Sequence, residues 1–114
     1  MDIALKKAYG FKIIVLSGHI DLLKDSISLK SLINSLIEEK SYKIAISLKE
    51  IKYIDSSTLN VFIYAKTQVE KFSGQFCLIE PNEYVQDVIS VVGLNEIFTI
   101  YSNKEKLRKK NKTI

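Results

Sequence analysis

The sequence predicts an α/β fold, in which a single domain is built on a mixed sheet of four or five strands flanked by about four helices. The length of 114 residues suits one domain, because a second core would have too few residues. Hydrophobic residues make up 46% and charged residues 26%, an ordinary composition for a globular chain. Short Ile- and Val-rich segments alternate with segments of helical periodicity, which is typical of parallel strands joined by helices.

Two strands joined by a turn are predicted at the start of the chain. Residues 3–7 alternate weakly between apolar and polar side chains, and residues 11–17 are rich in Ile and Val. Tyr9 and Gly10 between them can turn the chain. We therefore expect an antiparallel hairpin, followed by a loop over residues 18–21.

A first amphipathic helix is predicted after this loop. Apolar residues recur there at the i, i+3, i+4, i+7, i+8 spacing of one helical face. They are Leu29, Leu32, Ile33, Leu36 and Ile37. Asp25 and Ser26 are good N-cap residues before this stripe, and the helix is expected to stop near Lys40 and Ser41.

A central strand and a second helix follow. Residues 43–48 predict a strand covered on both faces, because Ala45 lies opposite three larger apolar side chains. Residues 49–55 are predicted to form a loop, and Ser73 with Gly74 ends the helix after it. The stripe of that helix is Leu59, Phe62, Ile63, Lys66, Val69 and Phe72.

The remaining elements repeat this alternation. Residues 76–79 predict a buried strand, residues 80–82 a turn, and residues 97–101 a last strand. A third helix between them is closed by Gly93. Its stripe is Tyr84, Val85, Val88, Ile89 and Val92.

The C-terminal end is basic. Ser102 or Asn103 is expected to cap a basic helix, and we divide the chain into a domain over residues 1–108 and a tail over residues 109–114. The last twelve residues hold six Lys or Arg against one Glu, a net of +5, so the rest of the chain sums to −1 against a total of +4. The high pI therefore describes the tail, and no direct DNA binding is expected.

The sequence lacks the characteristic motifs of several functional classes. The longest aliphatic run is four residues, far short of the ~20 of a membrane helix, so no membrane span is expected. The only cysteine, Cys77, is interpreted as a core thiol in a reduced, cytoplasmic protein. With His19 as the only histidine we expect no zinc site, and the scattered glycines give no nucleotide fingerprint, so no cofactor is expected. The six tyrosines are dispersed and are interpreted as residues at the rim of the core.

The most unusual segment reads Asp55-Ser56-Ser57-Thr58, where a predicted loop enters a predicted helix. Capping explains one of these residues well, because a side-chain oxygen accepts a bond from a free N–H. It does not require three hydroxyls in a row. A serine at this place also suits phosphorylation, since a helix N-terminus tolerates a phosphate and the added charge can act as a binding switch.

An ordered set of motifs gives the chain a family resemblance. The motifs are Gly18-His19-Ile20-Asp21, Asp55-Ser56-Ser57, Gly74-x-Phe76-x-Leu78, Val85-x-x-Val88-Ile89, Gly93-Leu94 and Ile97-Phe98. From about Ile3 to Leu107 the sequence resembles STAS domains of the bacterial anti-sigma factor antagonist type. The resemblance implies a small mixed sheet flanked by helices, in agreement with the pattern above.

The resemblance also implies a function. It implies a protein that is not an enzyme and that binds an anti-sigma factor, usually a serine kinase, in its unphosphorylated form. The kinase would phosphorylate Ser57, with Ser56 and then Thr58 as alternatives, and the partner would be released. A metal-dependent serine phosphatase would restore the starting form. The implied contact residues are His19, Asp21, Asp55, Ser56, Ser57, Thr58 and Asn60.

Besides binding of a membrane surface or nucleic acid through the basic tail, two alternatives stay open. The family commonly continues with Gly-Leu-Gly after the serines, whereas this chain has Thr58-Leu59-Asn60. This departure favours a constitutive STAS adaptor, a subunit of a signalling or lipid-transport complex without a phosphorylation switch. A hydrolase triad of Ser57, His19 and Asp21 is the other alternative, although the Gly-x-Ser-x-Gly elbow is missing.

Overall fold

The computed structural model describes residues 2–18 and 22–108. Five strands form one sheet in chain order, with the first strand antiparallel to the second and the other neighbours parallel. The strands are β1 Asp2–Ala8, β2 Phe11–Ser17, β3 Lys43–Glu50, β4 Gln75–Ile79 and β5 Thr99–Tyr101. The helices are α1 Leu22–Glu38, α2 Ser56–Glu70 and α3 Glu83–Val91, with short 3-10 turns at Leu94–Glu96 and Lys104–Lys106. The predicted α/β domain with a mixed sheet is confirmed.

The predicted hairpin is confirmed with its turn. Ala8 pairs with Phe11, so the loop has two residues. Tyr9 and Gly10 have φ of 56° and 81°, both in the left-handed region. Two positive φ angles define the type I′ turn, whose twist matches that of the flanking strands.

Helix α1 begins earlier than predicted. It starts at Leu22, so Asp25 lies in its first turn and is not the N-cap. Leu and Lys at positions 22–24 are good helix formers, so the helix extends towards the loop. A carboxylate in the first turn interacts favourably with the positive end of the helix dipole. The predicted end is confirmed, because Ser41 N–H donates to Leu36 O at 2.9 Å and Lys40 takes a φ of 64°, as in a Schellman cap.

Helix α2 ends two residues before Phe72, which the predicted stripe had included. Ser73, with φ of 58°, takes the left-handed position that the sequence suggested for Gly74. Gly74 is needed for space instead, since a Cβ at this position would lie 2.2 Å from the carbonyl oxygen of Tyr42. The chain therefore enters β4 in direct backbone contact with the residue before β3.

The sheet has two unequal apolar faces. All three helices pack on one face, where the larger core includes Ile33 of α1, Phe62 of α2 and Ile89 of α3. The opposite face carries a smaller cluster that contains the buried Cys77 and is covered by Leu107 from the C-terminal segment. The predicted two-sided burial of β3 is confirmed. The members of this smaller cluster are Phe11, Ile13, Ala45, Cys77, Ile79 and Leu107.

The C-terminal region differs from the prediction in detail. Strand β5 is only three residues long, because Leu94–Glu96 forms a 3-10 turn. Asn103 is the predicted cap, and its side chain accepts the Lys106 N–H at 3.2 Å. The expected fourth helix begins there as a 3-10 turn, and the tail over residues 109–114 lies outside the described residues. In the described part of the chain, no helix is long and apolar enough to cross a membrane.

Candidate functional site

The candidate site lies at the carboxyl edge of the parallel strands. Strands β3 and β4 are neighbours in register, with Ser47 opposite Ile79 near their ends. The loop from β3 to α2 covers residues 51–55, and the loop from β4 to α3 covers residues 80–82. Because parallel strands end at the same edge, these two loops emerge side by side, where open sheets of this kind place their ligand sites.

Asp55 is the N-cap of α2. Its backbone is extended, with φ of −123° and ψ of 174°, and its Oδ1 accepts the Thr58 N–H at 2.9 Å. The capping interpretation of this segment is therefore confirmed for Asp55. Capping needs only one of the side chains in this run, so the hydroxyls of Ser56 and Ser57 in the following turn are not required as caps.

The three hydroxyl residues differ in exposure. Ser56 is exposed and Ser57 is half-buried, so a partner has access to both. Thr58 has only 3% of its surface exposed and faces the interior. Asn60 is exposed and lies four residues after Ser56, on the same side of α2. The predicted contact residues Asp55, Ser56, Ser57 and Asn60 are thus brought together at one helix start.

The other predicted contact residues, His19 and Asp21, lie outside the described residues. The described part of their loop begins at Gly18, with φ of 84° after β2. Strand β2 is parallel to β3, so this loop leaves the sheet at the same edge as the Asp55 loop. The hydrolase triad that includes them has no described geometry.

A second loop residue, which was not predicted from the sequence, connects the two loops of the site. Asn82 caps α3, because its Oδ1 accepts the Val85 N–H at 2.8 Å. Its Nδ2 donates to the Ile51 carbonyl at 2.9 Å. One side chain therefore fixes the start of α3 to the loop that leads into Asp55. An Asn directly after Pro81 and before a helical stripe is a recognisable capping signal, but its second bond is visible only in three dimensions.

Two aromatic side chains are exposed beside the site. Tyr53 lies two residues before Asp55 and is 63% exposed, and Tyr84 in the first turn of α3 is 54% exposed. Their rings meet edge to face, with centroids 5.7 Å apart and an interplanar angle of 80°. For these two tyrosines the interpretation as core-rim residues was wrong, because both rings are presented to solvent.

The arrangement supports recognition and modification chemistry. It offers two accessible alcohols, one capping carboxylate and two aromatic rings on one edge of the sheet. Among residues 2–18 and 22–108, no group of three or more His, Cys, Asp or Glu side chains is placed to hold a metal ion. A phosphate is accommodated at a helix start, because free N–H groups and the positive end of the helix dipole lie there.

Comparison with known proteins gives relatives of one kind. The anti-sigma F factor antagonist of Paenibacillus polymyxa is 24% identical over 104 residues, covering 91% of this chain and 89% of that protein. The TM1081 homologue of Thermotoga neapolitana, an anti-sigma factor antagonist by name, is 37% identical over 59 residues. That match covers 52% of each chain, so it spans about half the length of this relative.

Solved structures share the fold. The anti-sigma factor antagonist SpoIIAA in its unphosphorylated form has a TM-score of 0.83 and covers 99% of both chains. Its sequence identity is 17%, so this likeness shows a shared fold. A family model described as the STAS domain matches residues 2–107. This match runs from the first strand to the buried leucine beneath the sheet, and the chain belongs to the STAS domain family.

Proposed function

We propose that this chain is an anti-sigma factor antagonist controlled at Ser57. The unphosphorylated protein binds an anti-sigma factor that is also a serine kinase. The kinase phosphorylates Ser57, and the partner is released until a serine phosphatase removes the phosphoryl group. The observation that carries the proposal is the partly exposed Ser57 in the first turn of α2, beside a carboxylate already engaged as the cap. The names of the relatives support the class of partner.

Exposure favours Ser57 over Thr58 as the acceptor. A kinase must reach the hydroxyl, and Thr58 is almost fully buried. Ser56 is exposed and is the remaining alternative. The family resemblance assigns the second serine of Asp-Ser-Ser, which is Ser57 in this chain.

A phosphate at Ser57 is compatible with the helix start in this fold. The first N–H groups of α2 have no partners inside the helix, and the positive end of the helix dipole points towards them. The phosphoryl group adds a charge of about −1.5 to −2. It also stands close to the Asp55 carboxylate, so the edge of the sheet becomes strongly anionic without a change of fold.

The same charge disfavours a partner matched to a neutral alcohol. A docked surface excludes water from the hydroxyl, and a phosphate in that place has to lose much of its hydration. Unless the partner supplies new donors, this desolvation and the repulsion from any nearby carboxylate weaken the complex. We propose that release follows from these two costs.

The proposed role is binding in the cytoplasm, where sigma factors and ATP-dependent kinases meet. Catalysis by this chain is not part of the proposal. The phosphoryl chemistry is done by the two partners, and the chain contributes the acceptor alcohol.

Site mapping by mass spectrometry tests the proposal. The purified protein is incubated with ATP and the anti-sigma factor kinase that it captures from its own cells. We expect one phosphoryl group per chain, located on Ser57 and absent from the Ser57→Ala variant. Ser56→Ala is the matched control and should be phosphorylated as the wild type is. Label that persists in Ser57→Ala would contradict the assignment of Ser57.

A constitutive STAS adaptor is the second candidate. It is favoured by Asn60, an exposed side chain where the family commonly has glycine. Such a side chain limits how closely a partner backbone can approach α2. If recovered partners are transport or signalling subunits without a kinase, and their affinity is equal for wild type and Ser57→Asp, the adaptor is the better description.

A further inference from the structure

We propose that Tyr53 and Tyr84 form the apolar part of the surface that docks the anti-sigma factor, and that Asn82 is the positioning residue that holds the two rings together. The identity of the partner rests on the proposed function. The tyrosines themselves are identified by their exposure, their mutual contact and their place beside Asp55.

The exposure of this pair is the first observation. Each tyrosine is more than half exposed to solvent although the two rings contact each other edge to face. A tyrosine ring has a large apolar surface, and burial of that surface against a partner is favourable. Tyrosine is also one of the residue types that contribute most to binding at interfaces.

Position is the second observation. Tyr53 and Asp55 belong to the same short loop, and Tyr84 lies in the first turn of α3. The Asn82 side chain joins these two segments through its bonds to Ile51 O and Val85 N. The pair therefore lies at the same edge of the sheet as Ser57, and one partner can cover both.

The part of the partner surface that contacts the two rings is apolar, and the exposed charges of Lys52 and Glu83 beside the rings lie at its margin. The two rings and their hydroxyls offer apolar area with a polar rim, which suits aliphatic or aromatic side chains of the partner. Tight packing against the tyrosines keeps water away from the neighbouring serine, so phosphorylation becomes costly for the complex.

A second aromatic pair provides a matched control. Tyr42 and Phe72 stack with centroids 4.4 Å apart at an interplanar angle of 3°, and Phe72 is 48% exposed. This pair flanks the starts of β3 and β4, at the amino edge of the sheet. Truncation of Phe72 removes an exposed ring as truncation of Tyr84 does, at the edge that does not carry Ser57.

The test measures the affinity of unphosphorylated protein for the captured anti-sigma factor by calorimetry. We expect Tyr53→Ala and Tyr84→Ala each to weaken binding at least tenfold. Phe72→Ala should stay within twofold of the wild type. Affinities of both tyrosine variants within twofold of the wild type would overturn the proposal. If the wild type itself does not bind any anti-sigma factor, the proposed function fails, and this is a separate result.

The role of Asn82 is tested with Asn82→Ser. Serine caps a helix as well as asparagine and adds no charge, but it lacks the amide group that donates to the Ile51 carbonyl. We expect binding to weaken at least fivefold, and we expect no further loss when Asn82→Ser is combined with Tyr53→Ala. A purely structural role would lower the unfolding temperature and leave the affinity unchanged, which would overturn the positioning role.

Self-association is the competing use of the same rings. Sedimentation of the wild type and of Tyr84→Ala, each alone, decides this point. We expect both to be monomeric at micromolar concentration. A dimer that Tyr84→Ala abolishes, together with unchanged affinity for the anti-sigma factor, would assign the rings to a second copy of the chain and overturn the proposal.

Discussion

The two edges of the sheet carry the same kind of ring pair in opposite settings. At the amino edge, Tyr42 stacks on Phe72, and the Tyr42 carbonyl accepts the Gln75 N–H at 2.8 Å. Backbone contact fixes that pair as part of the fold. At the carboxyl edge, the rings of Tyr53 and Tyr84 contact each other, and the Asn82 side chain links the loop that carries Tyr53 to the start of α3. The amino edge is thus held by backbone contacts within the fold, whereas the carboxyl edge presents its two rings to solvent.

Gly74→Ala should have the largest effect, because it acts on the amino edge. A Cβ there would lie 2.2 Å from Tyr42 O and 2.9 Å from Val69 O, both backbone atoms. We expect a loss of about 3 kcal/mol in the free energy of unfolding, as for a severe overpacking. Chemical denaturation checks it. Gly93→Ala is the control, because an added Cβ there would meet no atom within 4 Å. The only strain in this variant would come from the backbone φ of 79°. Equal losses in the two variants would show that the close contact is not decisive.

Asp55→Ala should have a smaller effect on the carboxyl edge. It removes the oxygen that accepts the Thr58 N–H, and loss of a helix cap costs about 1 kcal/mol. Thermal unfolding measures this change. Asp55→Asn keeps an acceptor and should recover most of the loss. If Asn does not recover it, the carboxylate has a role other than capping.

Truncation of one ring from each pair sharpens the comparison directly. Phe72→Ala removes a stacked ring from the half-buried Tyr42, and we expect a loss of about 1 kcal/mol in stability. Tyr84→Ala removes a ring from a pair that water surrounds, and we expect a loss of about 0.5 kcal/mol or less. Urea titration of both variants measures the difference. A larger loss for Tyr84→Ala would mean that the carboxyl pair is structural as well.

The smallest effect concerns two lysines near the amino edge. Lys7 and Lys12 are direct partners across the hairpin. Burial and the neighbouring Lys7 lower the pKa of Lys12 below its usual value of 10.5. The unfolded chain therefore binds more protons between the lowered and the usual pKa, and stability rises with pH in that window. Lys7→Glu should raise the unfolding midpoint slightly at neutral pH and flatten this rise. An unchanged pH profile would contradict the like-charge cause.

Much of the fold followed from periodicity, since the hairpin, three helices and the two-sided central strand all have clear apolar patterns. The errors fell where several conformations compete. Asp25 resembles a cap, yet the good helix formers before it allow α1 to start earlier. Gly74 looks like a left-handed residue, yet Ser73 takes that conformation, because Gly74 is fixed by a contact with the distant Tyr42.

The candidate site was predictable in part. The residue types of Asp55 and the adjacent serines predict a helix start, and the structure places them at the start of α2. The exposure of Tyr53 and Tyr84 was not predictable, because it depends on how the loops after β3 and β4 lie beside each other. The bond from Asn82 to the Ile51 carbonyl links residues 31 positions apart, and no local pattern encodes such a contact.

The most direct test of the account compares the affinity of two forms of the same protein for the anti-sigma factor. One form is unmodified, and the other is enzymatically phosphorylated on Ser57 to completion. We predict at least tenfold weaker binding of the phosphorylated form, a difference of about 1.4 kcal/mol or more. Equal affinities, or tighter binding of the phosphorylated form, would contradict the claim that charge at this helix start expels the partner.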